Sequence, residues 1–405
     1  MAKQGELIVG LDIGTTKICA VVGEVTDEDG INVIGVGEHG SKGLRRGAVV
    51  NIEATVDSIR QAVRQAEEMA NCEISSVYAG IANSQIKGFN SQGVVPVKDK
   101  EVRWSDVARV HDAACAVAIP IDRRFLHVLA QEYAIDGQPG IKEPLGMSGV
   151  RLEAKVHLVT ADSSSMENIA KCAKRAGLEV LDVILQPLAS AEAVLTEEEK
   201  DLGVALVDVG GGTADLVLFI NGAVVHTAVI ALGGNNFTSD IAVGLRTPAP
   251  EAERIKLGAG CCLASMIGKD ETIEVPSVGG RPPRVLPRQI LAEILEPRVQ
   301  EIIELVRDQI DKSNYLDLLG AGAVFTGGAT LLAGFGELAE DVLGVPVRCA
   351  GPRGVGGLVD VVKSSKYATA VGLVLYGARN EGLGLAGKRK RSPFRWLLSW
   401  LDDIF

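Results

Sequence analysis

The chain has 405 residues, 47% of them hydrophobic and 23% charged, with a formal net charge of −11. That length implies two or more domains, the composition excludes a largely disordered chain, and the acidic balance argues against nucleic acid as a partner. Seven scattered cysteines (Cys19, Cys72, Cys115, Cys172, Cys261, Cys262, Cys349) form no C-x-x-C pair, which points to reduced thiols and away from a structural zinc site.

Residues 1–6 lead into a strand-like run at 7–11 without the basic and apolar regions of an export signal, and no stretch of 18 apolar residues could span a bilayer. The run ends in Asp12-Ile-Gly14-Thr15-Thr16-Lys17, and apolar runs at 18–22 and 31–36 extend the hairpin into a meander. Residues 56–69 have the spacing of an amphipathic helix. From about 83 to 161 the texture changes to short strand candidates, Gly/Pro turns and one helix, 104–116, with Ser105 as its expected N-cap. That block closes on an alternating run at 152–160 and reads as an inserted subdomain. A helix at 165–176 follows, closed by Gly177.

The opening pattern then recurs, with Asp208 standing 196 positions after Asp12. A β-branched run at 204–207 meets Asp208-Val-Gly210-Gly211-Gly212-Thr213-Ala-Asp215, and further strands are expected at 216–220 and 223–231. The repetition implies a duplicated domain. A second insertion, about 232–304, holds a Pro-rich loop at 276–287 and a long helix from Arg288 past Glu301 toward Ile310, in which Pro297 predicts a kink or break. Later an apolar strand at 323–326 runs into Gly327-Gly328-Ala329, and residues 382–387 read as a flexible linker.

The two Asp/Gly/Thr hairpins carry the chemistry. Glycine lets backbone N–H groups approach phosphates closely, because it accepts positive φ and presents no side chain. An Asp at each strand end, Asp12 and Asp208, can hold Mg2+ through its waters. One such turn would be an ordinary β-turn; two at symmetric positions point to a phosphate site shared by both halves. The G-x-G-x-x-G spacings at 35–40 and 382–387 lack the helix a dinucleotide site needs. No Walker A or G-x-S-x-G occurs, and the five histidines show no metal-ligand spacing.

The tail is a separate signal. At ~100° per residue, Phe394, Trp396, Leu397, Leu398, Trp400, Leu401, Ile404 and Phe405 share one face, opposite Arg395, Ser399, Asp402 and Asp403. Residues 388–405 hold Lys388, Arg389, Lys390, Arg391 and Arg395 against two aspartates, so the chain's −11 divides into +3 there and −14 on the rest. Basic residues at the start and acids in the last turn oppose the helix dipole, so the segment should fray in water. The aromatic face is therefore expected to enter an anionic lipid surface rather than to close a core.

The order Asp-Gly-Thr, Asp-Gly-Gly-Gly-Thr, Thr-Gly-Gly-Ala resembles the two phosphate motifs and the adenosine motif of the actin/Hsp70/hexokinase superfamily. Small residues Ala189, Ser190, Ala370 and Gly372 likewise resemble that superfamily's connecting helices, which must cross closely under the cleft. The resemblance implies an α/β, actin-like (ribonuclease H-like) duplicated fold around a nucleotide cleft, with ATP and Mg2+ as ligands. Asp12 and Asp208 would organise the metal. Gly14, Thr15, Thr16 and Lys17 would hold the phosphates from one half, and Gly210, Gly211, Gly212 and Thr213 from the other. Gln186 would orient an attacking water, Glu253 and Lys256 would touch ribose and adenine, and Gly327, Gly328 and Ala329 would back the base. No sugar-binding constellation is visible.

The runs at 127–136, 149–157, 268–271 and 276–284 resemble the bacterial cell-division protein FtsA family over essentially the whole chain. That resemblance implies residues 1–83, 162–200 and 364–381 as subdomain 1A, 84–161 as a non-actin inserted subdomain 1C, 201–231 and 305–363 as 2A, and 232–304 as 2B. A linker at 382–393 and a membrane-targeting helix at 394–405 complete it. It further implies a peripheral protein on the cytoplasmic face of the inner membrane at the septum, with slow or incidental ATP hydrolysis. Such a protein forms filaments with itself, grips the FtsZ C-terminal peptide near Arg284, Arg298 and Glu301, and recruits later divisome proteins through the inserted subdomain. A type IV pilus assembly ATPase-like protein and a small-molecule kinase are the competing readings; the tail speaks against the first and the missing acceptor site against the second.

Overall fold

The computed structural model describes residues 6–26, 30–277 and 282–380, so the expectations for the linker and for Phe394, Trp396, Leu397, Trp400, Leu401, Ile404 and Phe405 lie outside the described residues. β1 (Leu7–Ile13) and β2 (Lys17–Val25) pair antiparallel with Asp12 opposite Cys19, and β3 (Ile31–Gly40) joins β2. A short hairpin, β4 (Leu44–Arg45) and β5 (Ala48–Val49), leads into α1 (Ile52–Ala70). α1 begins where Asn51 Oδ1 accepts from the Ala54 N–H at 3.1 Å and stops at left-handed Asn71. Its apolar face packs on β3, and Gly37 admits it: a Cβ there would stand 1.8 Å from the Ala62 carbonyl oxygen. The G-x-G spacing at 35–37 thus serves helix packing. β6 (Ser76–Ile81) pairs parallel with β1.

The chain then leaves this sheet for the inserted block: β7 (Lys87–Pro96), α2 (Trp104–Cys115), β8 (Arg123–Ile135), β9 (Gln138–Ile141) and β10 (Arg151–Asp162), a four-stranded sheet ordered β7-β10-β8-β9. Its own core includes Val110, Val128, Leu152, Val156 and Leu158. Ser105 does not cap α2: the helix starts one residue earlier, and Asp106 closes the end by accepting from the Arg103 N–H at 2.9 Å. α3 (Ser163–Ala176) ends at Gly177, φ 100°, as its sequence predicts. β11 (Glu179–Leu185) returns beside β6, and α4 (Gln186–Val194) and α5 (Glu197–Leu202) carry the chain into the second half.

There the pattern repeats. β12 (Val204–Val209) and β13 (Ala214–Ile220) pair with Asp208 opposite Asp215, and β14 (Ala223–Ile230) extends the meander. The second insertion follows as α6 (Gly234–Leu245), α7 (Ala249–Ala259), the two-stranded β15 (Thr272–Val275) and β16 (Arg284–Pro287), and α8 (Arg288–Ser313). No break occurs at Pro297: α8 runs on, because Leu291, Leu295, Val299, Ile302, Val306 and Ile310 bury one stripe along its length and that packing outweighs the missing N–H. β17 (Ala323–Thr326) and, after α9 (Phe335–Leu343), β18 (Val347–Cys349) complete the sheet in parallel.

Both main sheets therefore share one order, a three-strand meander followed by two parallel strands: β3-β2-β1-β6-β11 and β14-β13-β12-β17-β18. β19 (Gly356–Gly357) returns to the first sheet beside β3, α10 (Val359–Val362) follows, and α11 (Ala368–Asn380) crosses α4. Gly372 makes the crossing possible, since a Cβ there would stand 1.8 Å from the Ala189 carbonyl oxygen.

Candidate functional site

A cavity of about 380 Å³ lies between the two halves. Asp12, Gly14, Thr15, Thr16, Lys17 and Gln186 line it from the first half. Asp208, Gly210, Gly211, Gly212, Thr213, Glu253, Lys256, Gly327, Gly328 and Ala329 line it from the second.

The two hairpin turns are built alike. Gly14 N–H donates to the Lys17 carbonyl at 3.0 Å, and Gly210 N–H to the Thr213 carbonyl at 2.9 Å. They meet face to face with backbone on one side only: a Cβ on Gly211 would stand 1.7 Å from Thr16 Oγ1, and one on Gly212 2.5 Å from Thr15 Oγ1. Any residue but glycine would force the turns apart. The N-terminus of α6 is drawn in beside them, with Gly234 N–H on the Gly210 carbonyl at 2.9 Å and Asn235 N–H on the Gly211 carbonyl at 2.8 Å. The first N–H groups of α6 are spent on these carbonyls, so what the helix offers the cavity is the positive end of its dipole, which favours an anion.

Three carboxylates converge beneath the turns. Asp12 takes Lys17 Nζ on Oδ2 at 3.2 Å and Gln186 Nε2 on Oδ1 at 3.0 Å. Burial opposes the charge on Lys17, but Asp12, Cys19 and Glu38 together more than offset it and hold the ammonium protonated above its ordinary range. Asp208 accepts two hydroxyls, Ser190 Oγ at 2.6 Å and Thr369 Oγ1 at 3.0 Å. Burial pushes its carboxyl up against the Ser190 bond, and the nearby Asp12 adds to the rise. Asp215 is raised further, by burial and then by Asp208; its Oδ2 accepts from Thr213 Oγ1 at 3.0 Å, and its buried Oδ1 has no partner among the described residues. Clustered acids with an unsatisfied oxygen suit a hard divalent cation, whose charge would reverse these shifts. The donor set and the glycine-lined anion cradle therefore fit a magnesium nucleotide.

At the other end Lys256 Nζ meets Glu253 Oε2 at 2.7 Å, Thr238 Oγ1 at 2.9 Å and the Gly234 carbonyl at 3.1 Å. Gly327 takes φ 93°, and a Cβ there would stand 2.4 Å from Asp208 Oδ1, so the third Gly-Gly turn abuts the acidic cluster. Asp215, Glu38 and Lys366 also line the cavity and were not assigned from sequence. Asp215 had a signal, its place across the hairpin from Asp208. Glu38 and Lys366 had none, because the pair they form at 2.8 Å joins positions 328 apart. Burial works against ionisation of Glu38, but the Lys366 ammonium and Tyr367 hydroxyl outweigh it.

Arg284, Arg298 and Glu301 are not among the residues lining this cavity. Both arginines reach α6: Arg284 donates to the Leu245 carbonyl, while Arg298 pairs with Asp240 at 2.6 Å and with Glu301. The guanidinium of Arg298 is thus already engaged by two carboxylates of its own chain.

Residues 205–372 match the family described as "Cell division protein FtsA", and residues 83–160 match "SHS2 domain inserted in FTSA". The chain is 54% identical to the cell division protein FtsA of Pseudomonas aeruginosa over 95% of this chain and 92% of that one. Among solved structures it resembles a chain of the PilM-PilN type IV pilus biogenesis complex, with TM-score 0.66, 17% identity and coverage of 91% and 98%. It also resembles MreB5 of Spiroplasma citri bound to ADP, with TM-score 0.55, 14% identity and coverage of 92% and 97%. The fold is actin-like, as the resemblance carried by the paired turns and the third Gly-Gly motif implied.

Proposed function

Because the chain belongs to the FtsA family of cell division proteins, we propose that its cleft binds ATP with Mg2+ and that this binding sets the assembly state of a protein held on the inner membrane. The observation that carries the reading is the convergence of two symmetry-related Asp/Gly/Thr turns on one cavity. Support for the nucleotide also comes from an actin-like relative of the fold that is bound to ADP.

In this reading Asp12, Asp208 and Asp215 hold the hydrated cation, which when bound neutralises phosphate charge. The turns at 14–17 and 210–213 hold the phosphates, Glu253 and Lys256 meet the ribose and base, and Gly327, Gly328 and Ala329 lie against the base. Gln186, hydrogen-bonded to Asp12 at 3.0 Å, is placed to orient a water rather than to deprotonate an acceptor, which favours slow hydrolysis over transfer to a small molecule. The tail at 394–405 binds anionic lipid, the 2B region near Arg284, Arg298 and Glu301 takes the FtsZ C-terminal peptide, and the inserted subdomain recruits later division proteins at the septum.

Co-sedimentation with anionic liposomes, with and without ATP and with and without a peptide from the FtsZ C-terminus, tests this. ATP-dependent assembly on the vesicles and peptide retention are expected. Absence of nucleotide binding in the presence of Mg2+ would overturn the reading.

A further inference from the structure

Asp208 ends a strand of the second half, yet both hydroxyls that donate to it come from helices that cross beneath the cleft. Ser190 Oγ on α4 donates to Asp208 Oδ2 at 2.6 Å, Thr369 Oγ1 on α11 donates to the same oxygen at 3.0 Å, and the two hydroxyls lie 3.1 Å apart. Ser190 is 0% and Thr369 8% exposed. Hydroxyls inside helices ordinarily bond back to a carbonyl one turn earlier. Thr55 and Ser58 of α1 do so, to the Asn51 oxygen at 2.8 Å and the Ala54 oxygen at 2.9 Å. Ser190 gives that local bond up for a carboxylate on another element, and Thr369, in the first turn of α11, turns its hydroxyl to the same oxygen.

We propose that Ser190 and Thr369 are positioning residues that together hold Oδ2 of Asp208 and leave its Oδ1 for the divalent cation of a bound nucleotide. This inference rests on the reading of the cleft as a magnesium-nucleotide site. A carboxylate held on one oxygen by two donors has its plane fixed, so a hydrated cation need not pay to order it. The other oxygen borders Gly327, where the absent Cβ leaves it clear. The donors sit on the two crossing helices and the acceptor on β12, so the bonds form at one relative arrangement of these three elements. Cation binding and that arrangement consequently favour each other by the same factor.

The test measures nucleotide affinity of the full chain with ATP in Mg2+ and in EDTA, for wild type, Ser190→Ala, Thr369→Val, the double variant and the hydroxyl-retaining Thr369→Ser. Either single variant suffices if the other fails to fold, as judged by its thermal unfolding. The gain in affinity that Mg2+ confers should fall by roughly 10–100-fold in the double variant, the range typical of groups that orient a metal-holding side chain. Affinity in EDTA should stay within about twofold, and Thr369→Ser should keep most of the gain. An unchanged Mg2+ gain in the variants, or an equal loss with and without Mg2+, overturns the inference while leaving the cleft reading in place. A wild type that shows no Mg2+ gain overturns both.

Discussion

His157 Nε2 and Thr227 Oγ1 lie 2.9 Å apart, and through that contact β10 of the inserted subdomain touches β14 of the second half. The contact sits in a polar clamp. His157 Nδ1 meets Asn90 Oδ1 at 2.7 Å, Asn90 Nδ2 donates to the Val225 carbonyl at 3.2 Å, and Gln131 Nε2 reaches the Val224 carbonyl at 2.9 Å. β14 leads directly into the α6 N-terminus that lines the cavity, so the insertion leans on the strand that precedes a cavity-lining helix.

Gly88 lets these surfaces close. A Cβ there would stand 2.2 Å from Thr227 Oγ1 and 2.6 Å from His157 Nε2. Gly88→Ala should wedge the clamp open and cost roughly 1–3 kcal/mol, as overpacking does. Urea unfolding checks the cost, and faster proteolysis of the insertion is expected alongside it; an unchanged midpoint would show that the interface does not close in solution.

Acid should loosen the molecule through its buried histidines. Burial lowers His111 and His127 to about 4 and His157 to about 3, from an ordinary 6.5. Below pH 6.5 the unfolded chain takes up protons that the folded chain refuses, so their contribution turns unfavourable as pH falls from 6.5 toward 4. Unfolding midpoints measured across that window should decline, and His157→Gln should make the decline shallower. A variant as acid-sensitive as wild type would remove His157 from the account.

Gly211→Ala should separate the two glycine turns, since its Cβ would collide with Thr16 Oγ1 and Cβ. Nucleotide affinity should fall far more than unfolding free energy, because the residue borders the cavity and not a core. Calorimetric titration and urea unfolding of the same preparation separate the two effects.

Asp208→Asn should weaken Mg2+-dependent nucleotide binding by more than roughly 100-fold, beyond the range seen for groups that only orient a ligand-holding side chain. Equal affinities of variant and wild type in titrations with Mg2+ would remove the carboxylate from that role.

Deleting residues 388–405 should abolish pelleting with anionic liposomes and leave nucleotide affinity within about twofold. Raising salt should weaken the full chain's pelleting, because the Lys388, Arg389, Lys390 and Arg391 cluster acts through screened charge. Pelleting that survives the deletion would assign the membrane contact elsewhere.

The hairpins at Asp12 and Asp208 were legible because they are local: a β-branched run, an acid and a glycine turn are contiguous in the chain, and the repeat made the duplication visible. What α4 and α11 do was half legible. Ala189 and Gly372 announce a close crossing by their size, but nothing in a run of small residues says that Ser190 and Thr369 will turn their hydroxyls toward Asp208. The Glu38–Lys366 pair and the His157 clamp depend on elements far apart in sequence, which no periodicity encodes. Of the kink or break expected at Pro297, the break does not occur, for the opposite reason. A local penalty was read without the buried stripe of α8 that outweighs it.

At the crossing, the backbones of Gly372 and Ala189 all but touch, leaving space for no side chain. Most of both helices is buried around that point, so a larger residue at 372 would shift the whole crossing and with it the seats of Ser190 and Thr369 under Asp208.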